Sequence, residues 1–325
     1  MELEAIYAPI QNDLAEIEDR LKAVSDPEQI GDFPHLSELL EYSLRSNGKR
    51  IRPVLTLLAG RFYDYDNDNL LSMATAVEIM HTATLVHDDA IDNAGTRRGR
   101  QTVNKKWSDE KAVLLGDYLF AEAGALTAST DNLRAIKLFA QTLKTISSGE
   151  INQADNAFNL HQNRPQYIKR VAQKTAALFR MATESGAAMS QAPEEAIQVL
   201  IDYAYNVGIA FQIVDDILDF TGTEEELGKP AGSDLAQGTL TLPAMLLLEY
   251  NPRNNPVEKF FNNRDRPDYI KQAIDEIRDS SILGECYQLA EEYCATACRD
   301  LTQLPAGDSR ESLKELAGFV TSRKK

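Results

Sequence analysis

Apolar residues along this chain recur at steps of three and four, the spacing that lines one face of an α-helix. Runs such as LSELLEYSLRS, LSMATAVEIMHTATLVHDDAID, AVLLGDYLFAEAGALTA and LRAIKLFAQTLKTISSGEINQA keep that spacing for several turns. Pro165 and Pro193 open two more runs, QYIKRVAQKTAALFRMATESGAAM and EEAIQVLIDYAYNVGIAFQIVDDILDF, as proline does in a first helical turn. No stretch alternates apolar and polar residues long enough to make a useful strand. Helix-breaking residues gather at 25–34, 93–102, 221–238 and 251–267, which are expected to be loops. The pattern predicts an all-α protein, a large helical bundle around a central cavity. Residues 1–325 are expected to form a single domain, because no Pro-, Gly- or Ser-rich linker divides them.

Bulk composition narrows the choice of partners. The chain has 325 residues, 43% of them hydrophobic, enough for a large core. Its formal net charge of −16 disfavours nucleic acid as a partner. The opening stretch MELEAIYAPIQNDLAEIEDRL is acidic and amphipathic, without the basic start and apolar centre of a signal peptide. No apolar run is expected to cross a membrane. The three cysteines, Cys286, Cys294 and Cys298, are odd in number and have no histidine beside them, so they read as free thiols and the compartment as cytoplasmic.

Two acidic motifs of one design carry the chemistry. Asp88-Asp89-Ala90-Ile91-Asp92 and Asp215-Asp216-Ile217-Leu218-Asp219 both read DDxxD inside apolar helical context. Residues four apart share a helix face, so Asp88 projects with Asp92, and Asp215 with Asp219. Like charges at that spacing repel, and a helix that carries them twice calls for a compensating cation. Hard divalent ions prefer carboxylate oxygen, and Mg²⁺ in particular joins one or two carboxylates to substrate phosphates. Basic groups accompany both motifs. Lys49, Arg50 and Arg52 lie in NGKRIRP, Arg97 and Arg98 follow the first motif, Lys174 precedes Thr175 in mid-helix, and Lys229 lies in the loop after the second motif. Gln212 stands one turn before Asp215 and Asp216, and His81 two turns before Asp88. Carboxylates alone repel a phosphate and cations alone do not need two DDxxD helices. A Mg²⁺-diphosphate substrate satisfies both sets.

The order and spacing of these motifs, from NGKRIRP through LVHDDAID, TRRG, GEINQ, KT, FQIVDDILD and LGKPAGSD to TLTLP, resemble the trans-type (all-E) polyprenyl diphosphate synthases of the isoprenoid synthase fold. The likeness runs over nearly the whole chain. It implies a Mg²⁺-dependent prenyltransferase that condenses isopentenyl diphosphate with an allylic diphosphate, using about three Mg²⁺ ions per site. By resemblance, Asp88, Asp92 and Asp215 ligate the metal, with Asp89, Asp216 and Asp219 supporting them. Lys49, Arg52, His81 and Arg98 would hold isopentenyl diphosphate. Arg97, Lys174, Thr175, Gln212 and Lys229 would hold the allylic diphosphate, with Thr175 and Gln212 turning oxygen dipoles toward the carbocation. Short-chain members often carry another lysine where Thr239 stands here, so one contact to the allylic diphosphate departs from their pattern.

The growing tail would run along the helix below Asp88, past Thr84, Ala83 and Met80, toward a floor on the helix 133–147. In members that stop at fifteen carbons the positions matching Ala83 and Thr84 are often large aromatics. Both are small here, which implies a product longer than fifteen carbons. A geranylgeranyl diphosphate synthase of shorter product, and the catalytic subunit of a two-component heptaprenyl or hexaprenyl synthase, remain alternatives. The family also implies a homodimer, and the two-component alternative brings in a small regulatory subunit. A terpene cyclase has no use for a second diphosphate pocket, so NGKRIRP and Arg97-Arg98 argue against it. A non-catalytic partner subunit typically loses its aspartates, and both motifs are intact.

Overall fold

A computed structural model describes residues 3–31, 33–45, 48–97, 99–223 and 230–323. Helices dominate it, as the periodicity predicts. The only strands among the described residues are Thr96–Arg97 and Arg100–Gln101, which pair antiparallel as a short ribbon after the first acidic motif.

Contacts gather into two compact units, each assembled from three separate stretches of chain. One comprises Met1–Thr142, Leu178–Ala204 and Asp300–Leu316, the other Leu143–Ala177, Tyr205–Arg299 and Ala317–Lys325. Their limits fall within the helices Leu133–Asp155, Ala177–Ala188, Glu194–Thr221, Ile282–Asp300 and Asp308–Ser322, not in a linker. A search for linker composition therefore has nothing to detect.

The first unit is built on the helix Asn67–Ile91. Asp66 caps it by accepting a hydrogen bond from Asn69 N. Every residue from Leu70 to Met80 is buried, so this helix is enclosed on all sides and not amphipathic. One of those residues is Glu78, whose charge is met by Arg50 Nη1 at 2.6 Å. Arg50 also binds Glu18, and it takes a left-handed backbone, φ 51°, just before the helix Ile51–Gly60. Arg50 is thus a brace for the NGKRIRP segment, occupied on two sides by carboxylates. Tyr7 fixes the same segment by donating to the Lys49 carbonyl at 2.7 Å.

The second unit contains a feature that helical periodicity does not reveal. The helix opened at Arg164–Val171, capped reciprocally by Asn163 and Gln166, runs into a π-helical turn at Ala172–Ala176 before Ala177–Ala188. Lys174 and Thr175 lie in that turn. Two glycines let other helices of the unit close upon it. A Cβ on Gly149 would come within 2.9 Å of the Gln173 Cβ, and one on Gly208 within 2.7 Å of the Ala176 Cα. The predicted loop at 251–267 also holds a helix, Pro256–Asn262, capped by Asn255. Its Phe260 and Phe261 pack near Phe158, which follows the GEINQ segment.

One helix, Glu194–Thr221, is long and apolar enough to cross a membrane by length and composition, contrary to the expectation that no run would be. Of its most apolar window 67% is buried inside the protein, as befits a core helix that carries Asp215, Asp216 and Asp219.

Candidate active site

In both acidic motifs the aspartates sit at the end of a helix where carboxylates are least welcome. Asp88 and Asp89 occupy the last turn of Asn67–Ile91, and Asp92 is the residue that caps it. Asp215, Asp216 and Asp219 lie in the last two turns of Glu194–Thr221. The carbonyl end of a helix carries partial negative charge, so a carboxylate there costs about 0.3–1 kcal/mol where a cation is favoured. Neither helix has a basic residue in its last turn.

In the first unit the predicted residues fall into two arrangements. Arg52 Nη1 lies 2.9 Å from His81 Nε2, so two of the four residues expected at the isopentenyl diphosphate come together. A guanidinium can only donate, so Nε2 accepts and the ring proton belongs on Nδ1. The guanidinium carbon also sits 5.1 Å from the Phe179 ring centroid. Asp89 is buried, and Arg97 Nε donates to it at 2.8 Å. Burial pushes the Asp89 carboxyl above the usual range, while Arg97 pulls it down. Arg97, expected on a diphosphate, is here the partner of the motif's middle aspartate. Lys49 is half-buried. Met80 and Ala83 are fully buried, whereas Thr84, one turn from Asp88, is half-buried with its hydroxyl bonded to the His81 carbonyl. Arg98 lies outside the described residues.

In the second unit Asp216 is 2% exposed and both its oxygens are taken. Gln212 Nε2 donates to Oδ1 at 2.9 Å and the Tyr167 hydroxyl donates to Oδ2 at 2.7 Å. Burial, then the charge of Asp234, push its carboxyl up to about 7, against the lowering by Gln212, Tyr167 and Arg170. Gln212 Oε1 in turn accepts from Thr175 Oγ1 at 2.5 Å. Lys174 Nζ is 2.9 Å from Glu150, the glutamate of GEINQ. Asp219 organises the following loop, accepting from Ser233 Oγ at 3.0 Å, from Asp234 N at 3.3 Å and, through its carbonyl, from Gly232 N at 2.8 Å. Asp215 behaves differently. Its side chain is 40% exposed and is paired with Arg323 Nη2 at 2.7 Å, which also donates to the Phe211 carbonyl. Thr239 is followed by Leu240, whose carbonyl is held by Arg170 at 2.6 Å. Lys229 lies outside the described residues.

Three participants were not named from the sequence: Tyr167, Glu150 and Arg323. Tyr167 stands seven residues before Lys174 with nothing in its neighbourhood to mark it. Glu150 was visible only as part of the GEINQ segment. Arg323 is far along the chain from Asp215.

The donor chemistry suits a hard cation shared with a substrate. Among the described residues no group of three or more His, Cys, Asp or Glu side chains would hold a metal ion by itself. Mg²⁺ is content with one or two carboxylates completed by phosphate oxygens. In the first unit Asp88 and Asp92, and in the second the accessible Asp215, are carboxylates of that kind.

A helical protein with an aspartate-rich motif closing each of two core helices, followed in each case by a loop, has the architecture of the isoprenoid synthases. A family model described as polyprenyl synthetase matches residues 33–277. The chain is 37% identical over 324 residues to heptaprenyl diphosphate synthase component 2 of Bacillus subtilis (strain 168), covering 100% of this chain and 92% of that one. It is 34% identical to chloroplastic solanesyl-diphosphate synthase 2 of Oryza sativa subsp. japonica, over 97% of this chain and 78% of that one. Among solved structures, a polyprenyl synthase from Caulobacter crescentus CB15, complexed with calcium and isoprenyl diphosphate, matches with a TM-score of 0.94 and 34% identity over 100% of this chain and 98% of that one. The chain belongs to the polyprenyl synthetase family and is a trans-type polyprenyl diphosphate synthase, a prenyltransferase.

Proposed function

We propose that the chain adds isopentenyl diphosphate repeatedly to an allylic primer, farnesyl or geranylgeranyl diphosphate, giving a medium- or long-chain all-trans polyprenyl diphosphate. The observation that carries this reading is the pair of DDxxD motifs, each closing a helix that offers its negative pole and no basic residue in its last turn. Relatives named as heptaprenyl and solanesyl synthases support a product of this length.

When bound, Mg²⁺ (about three ions per site) neutralises the diphosphate and makes it a better leaving group. The chain's own residues do the rest. Asp88, Asp92 and Asp215 hold the metal-diphosphate, and Arg97, Lys174 and Lys229 balance the remaining charge on the leaving oxygens. Lys49, Arg52, His81 and Arg98 hold isopentenyl diphosphate, so that its double bond meets the allylic carbon in one orientation. Thr175 and Gln212 direct oxygen dipoles at the developing cation. The Arg52–His81 pair supports this division, since two residues assigned to one diphosphate lie 2.9 Å apart. The tail extends past Thr84 along Asn67–Ile91. We place the enzyme in the cytoplasm as one functional domain. Exposed Val113, Leu114, Leu133 and Ile136 support a homodimer.

The test is to incubate the purified chain with Mg²⁺, farnesyl diphosphate and labelled isopentenyl diphosphate and to size the dephosphorylated products. The expected result is products beyond fifteen carbons, abolished by EDTA and lowered by orders of magnitude in Asp88→Ala and Asp215→Ala. Near-normal turnover in both variants sinks the proposed metal site. A second reading is favoured by one observation, the likeness to two proteins named component 2. If this chain is the catalytic half of a two-component enzyme, it elongates only when its partner is added.

A further inference from the structure

Tyr167 is connected to Thr175 by three hydrogen bonds whose polarity follows from an ionised Asp216, which accepts at both oxygens. Its phenol, 1% exposed, donates to Asp216 Oδ2 at 2.7 Å. The other oxygen of that carboxylate accepts from Gln212 Nε2 at 2.9 Å. The amide of Gln212 has one donating and one accepting end. With its NH₂ committed to Asp216, only its carbonyl can face Thr175, and Thr175 Oγ1 donates to it at 2.5 Å. The hydroxyl proton of Thr175 is therefore spent inside the protein. What remains on Oγ1 is lone-pair density, a negative pole. Turning the Gln212 amide over would set its carbonyl against a carboxylate and leave Thr175 to point its proton elsewhere.

We propose that Tyr167 is a positioning residue for prenyl transfer: through Asp216 and Gln212 it fixes the direction of the Thr175 hydroxyl, so that an oxygen lone pair, not a proton, faces the allylic carbon as positive charge develops there. This rests on the assignment of Thr175 and Gln212 to the allylic site. The geometry supports a relay of this kind in three ways. Asp216 has its two oxygens engaged by two different side chains, so its carboxylate cannot rotate without breaking one bond. Tyr167 lies in the regular helix just before the π-helical turn that carries Thr175, so both ends of the relay belong to one chain segment. And Arg170 Cζ, 5.5 Å from the Tyr167 ring centroid, is itself anchored by Gln162 and the Leu240 carbonyl, which keeps that ring from swinging. A preorganised dipole aimed where charge develops lowers the barrier without lowering the energy of the bound substrate.

The experiment is a double-mutant cycle in the purified enzyme. Tyr167→Phe deletes only the hydroxyl, and Thr175→Val replaces the hydroxyl with a methyl of similar size. Tyr167→Phe is expected to lower kcat by roughly tenfold, about 1.4 kcal/mol in the barrier, with KM for isopentenyl and farnesyl diphosphate unchanged. Thr175→Val is expected to lower kcat at least as much. The double variant should be no slower than Thr175→Val alone, because Tyr167 acts only through the hydroxyl that Thr175→Val removes. Losses that multiply would show that Tyr167 supports packing alone, and an unchanged kcat in Tyr167→Phe would overturn the proposal outright. Should Thr175→Val fail to fold, as judged by circular dichroism, Thr175→Ala closes the same cycle. A wild-type chain that does not elongate farnesyl diphosphate, with or without a partner subunit, tells against the functional reading itself, whereas an active wild type with multiplicative losses tells against the relay only.

Discussion

At the scale of single residues, the same side-chain type does different work according to burial. Asp215 and Asp216 are neighbours in sequence, the first two aspartates of one motif. The structure leaves Asp215 accessible, balanced by Arg323, and seals Asp216 at 2% exposure with two donors. In the same way Arg50 and Arg52 stand two apart, yet Arg50 is consumed by Glu18 and Glu78 while Arg52 meets His81. Removing one partner of a buried ion pair leaves the other uncompensated, so Arg50→Ala is expected to cost roughly 3 kcal/mol of stability. Urea unfolding checks it, and a cost under 0.5 kcal/mol would show that Arg50 is no brace. The cysteines follow the same logic. Burial pushes the Cys286 and Cys294 thiols up to about 12, with Asp216 and Glu285 adding to the first and Cys298 and Glu291 to the second. A thiol whose folded pKa is raised contributes stability that is fully present below its unfolded value, near 9, and is lost as pH climbs toward 12. At pH 8 a maleimide should therefore label Cys298, which is half-buried, well before the other two. Mass spectrometry of digested, labelled protein reads the order, and early labelling of Cys286 would contradict it.

At the scale of elements, the π-helical turn is the departure from regularity that matters most. A turn of this kind widens a helix by one residue and commonly marks a functional position. Here it carries Lys174 and Thr175, and Gly149 and Gly208 admit neighbouring helices against it. Gly208→Ala puts a Cβ into Ala176, a contact that backbone must yield to, and should cost about 1–3 kcal/mol. Because Ala176 adjoins Thr175, kcat should fall as well, whereas a variant with full stability and activity would mean that the turn tolerates displacement. The helix Asn67–Ile91 supports a second prediction. Ala83 is fully buried, so a ring placed there collides with packed core, while half-buried Thr84 has room toward one side. Thr84→Phe should stop elongation near fifteen or twenty carbons and leave the first condensation fast. Chromatographic sizing reads this directly, and an unchanged product length would remove Thr84 from the path of the tail.

At the scale of the whole molecule, charge and metal are coupled. A chain of formal net charge −16 that carries an aspartate motif at each of two helix ends attracts cations to those ends. A ligand that binds only the folded protein stabilises it by about 2.7 kcal/mol at a hundredfold excess over its Kd. Mg²⁺ with inorganic diphosphate is accordingly expected to raise Tm by several degrees. Asp88→Ala and Asp215→Ala should each lose most of that gain, measured by differential scanning calorimetry. An equal rise in the wild type and both variants would place the ion elsewhere.

What the sequence determined by itself is whatever depends on local spacing. The helices between residues 34 and 91, their end at the first motif, the starts signalled by Pro165 and Pro193, and the shared faces of Asp88 with Asp92 and of Asp215 with Asp219 follow from helical periodicity and need no tertiary information. What only the tertiary structure decided is which polar groups meet across long separations. Tyr167 reaches Asp216 over 49 residues, Thr175 reaches Gln212 over 37, and Arg323 reaches Asp215 over 108. The helix 256–262 inside a stretch rich in Pro and Asn belongs to the same class, since buried Phe260 and Phe261 stabilise it through packing that no local signal encodes. The physical reason is common to all of these. A helix face is fixed by bonds within a few residues, whereas the partner of a buried donor is fixed by where the core places it, and an unmet buried polar group costs enough to select that arrangement.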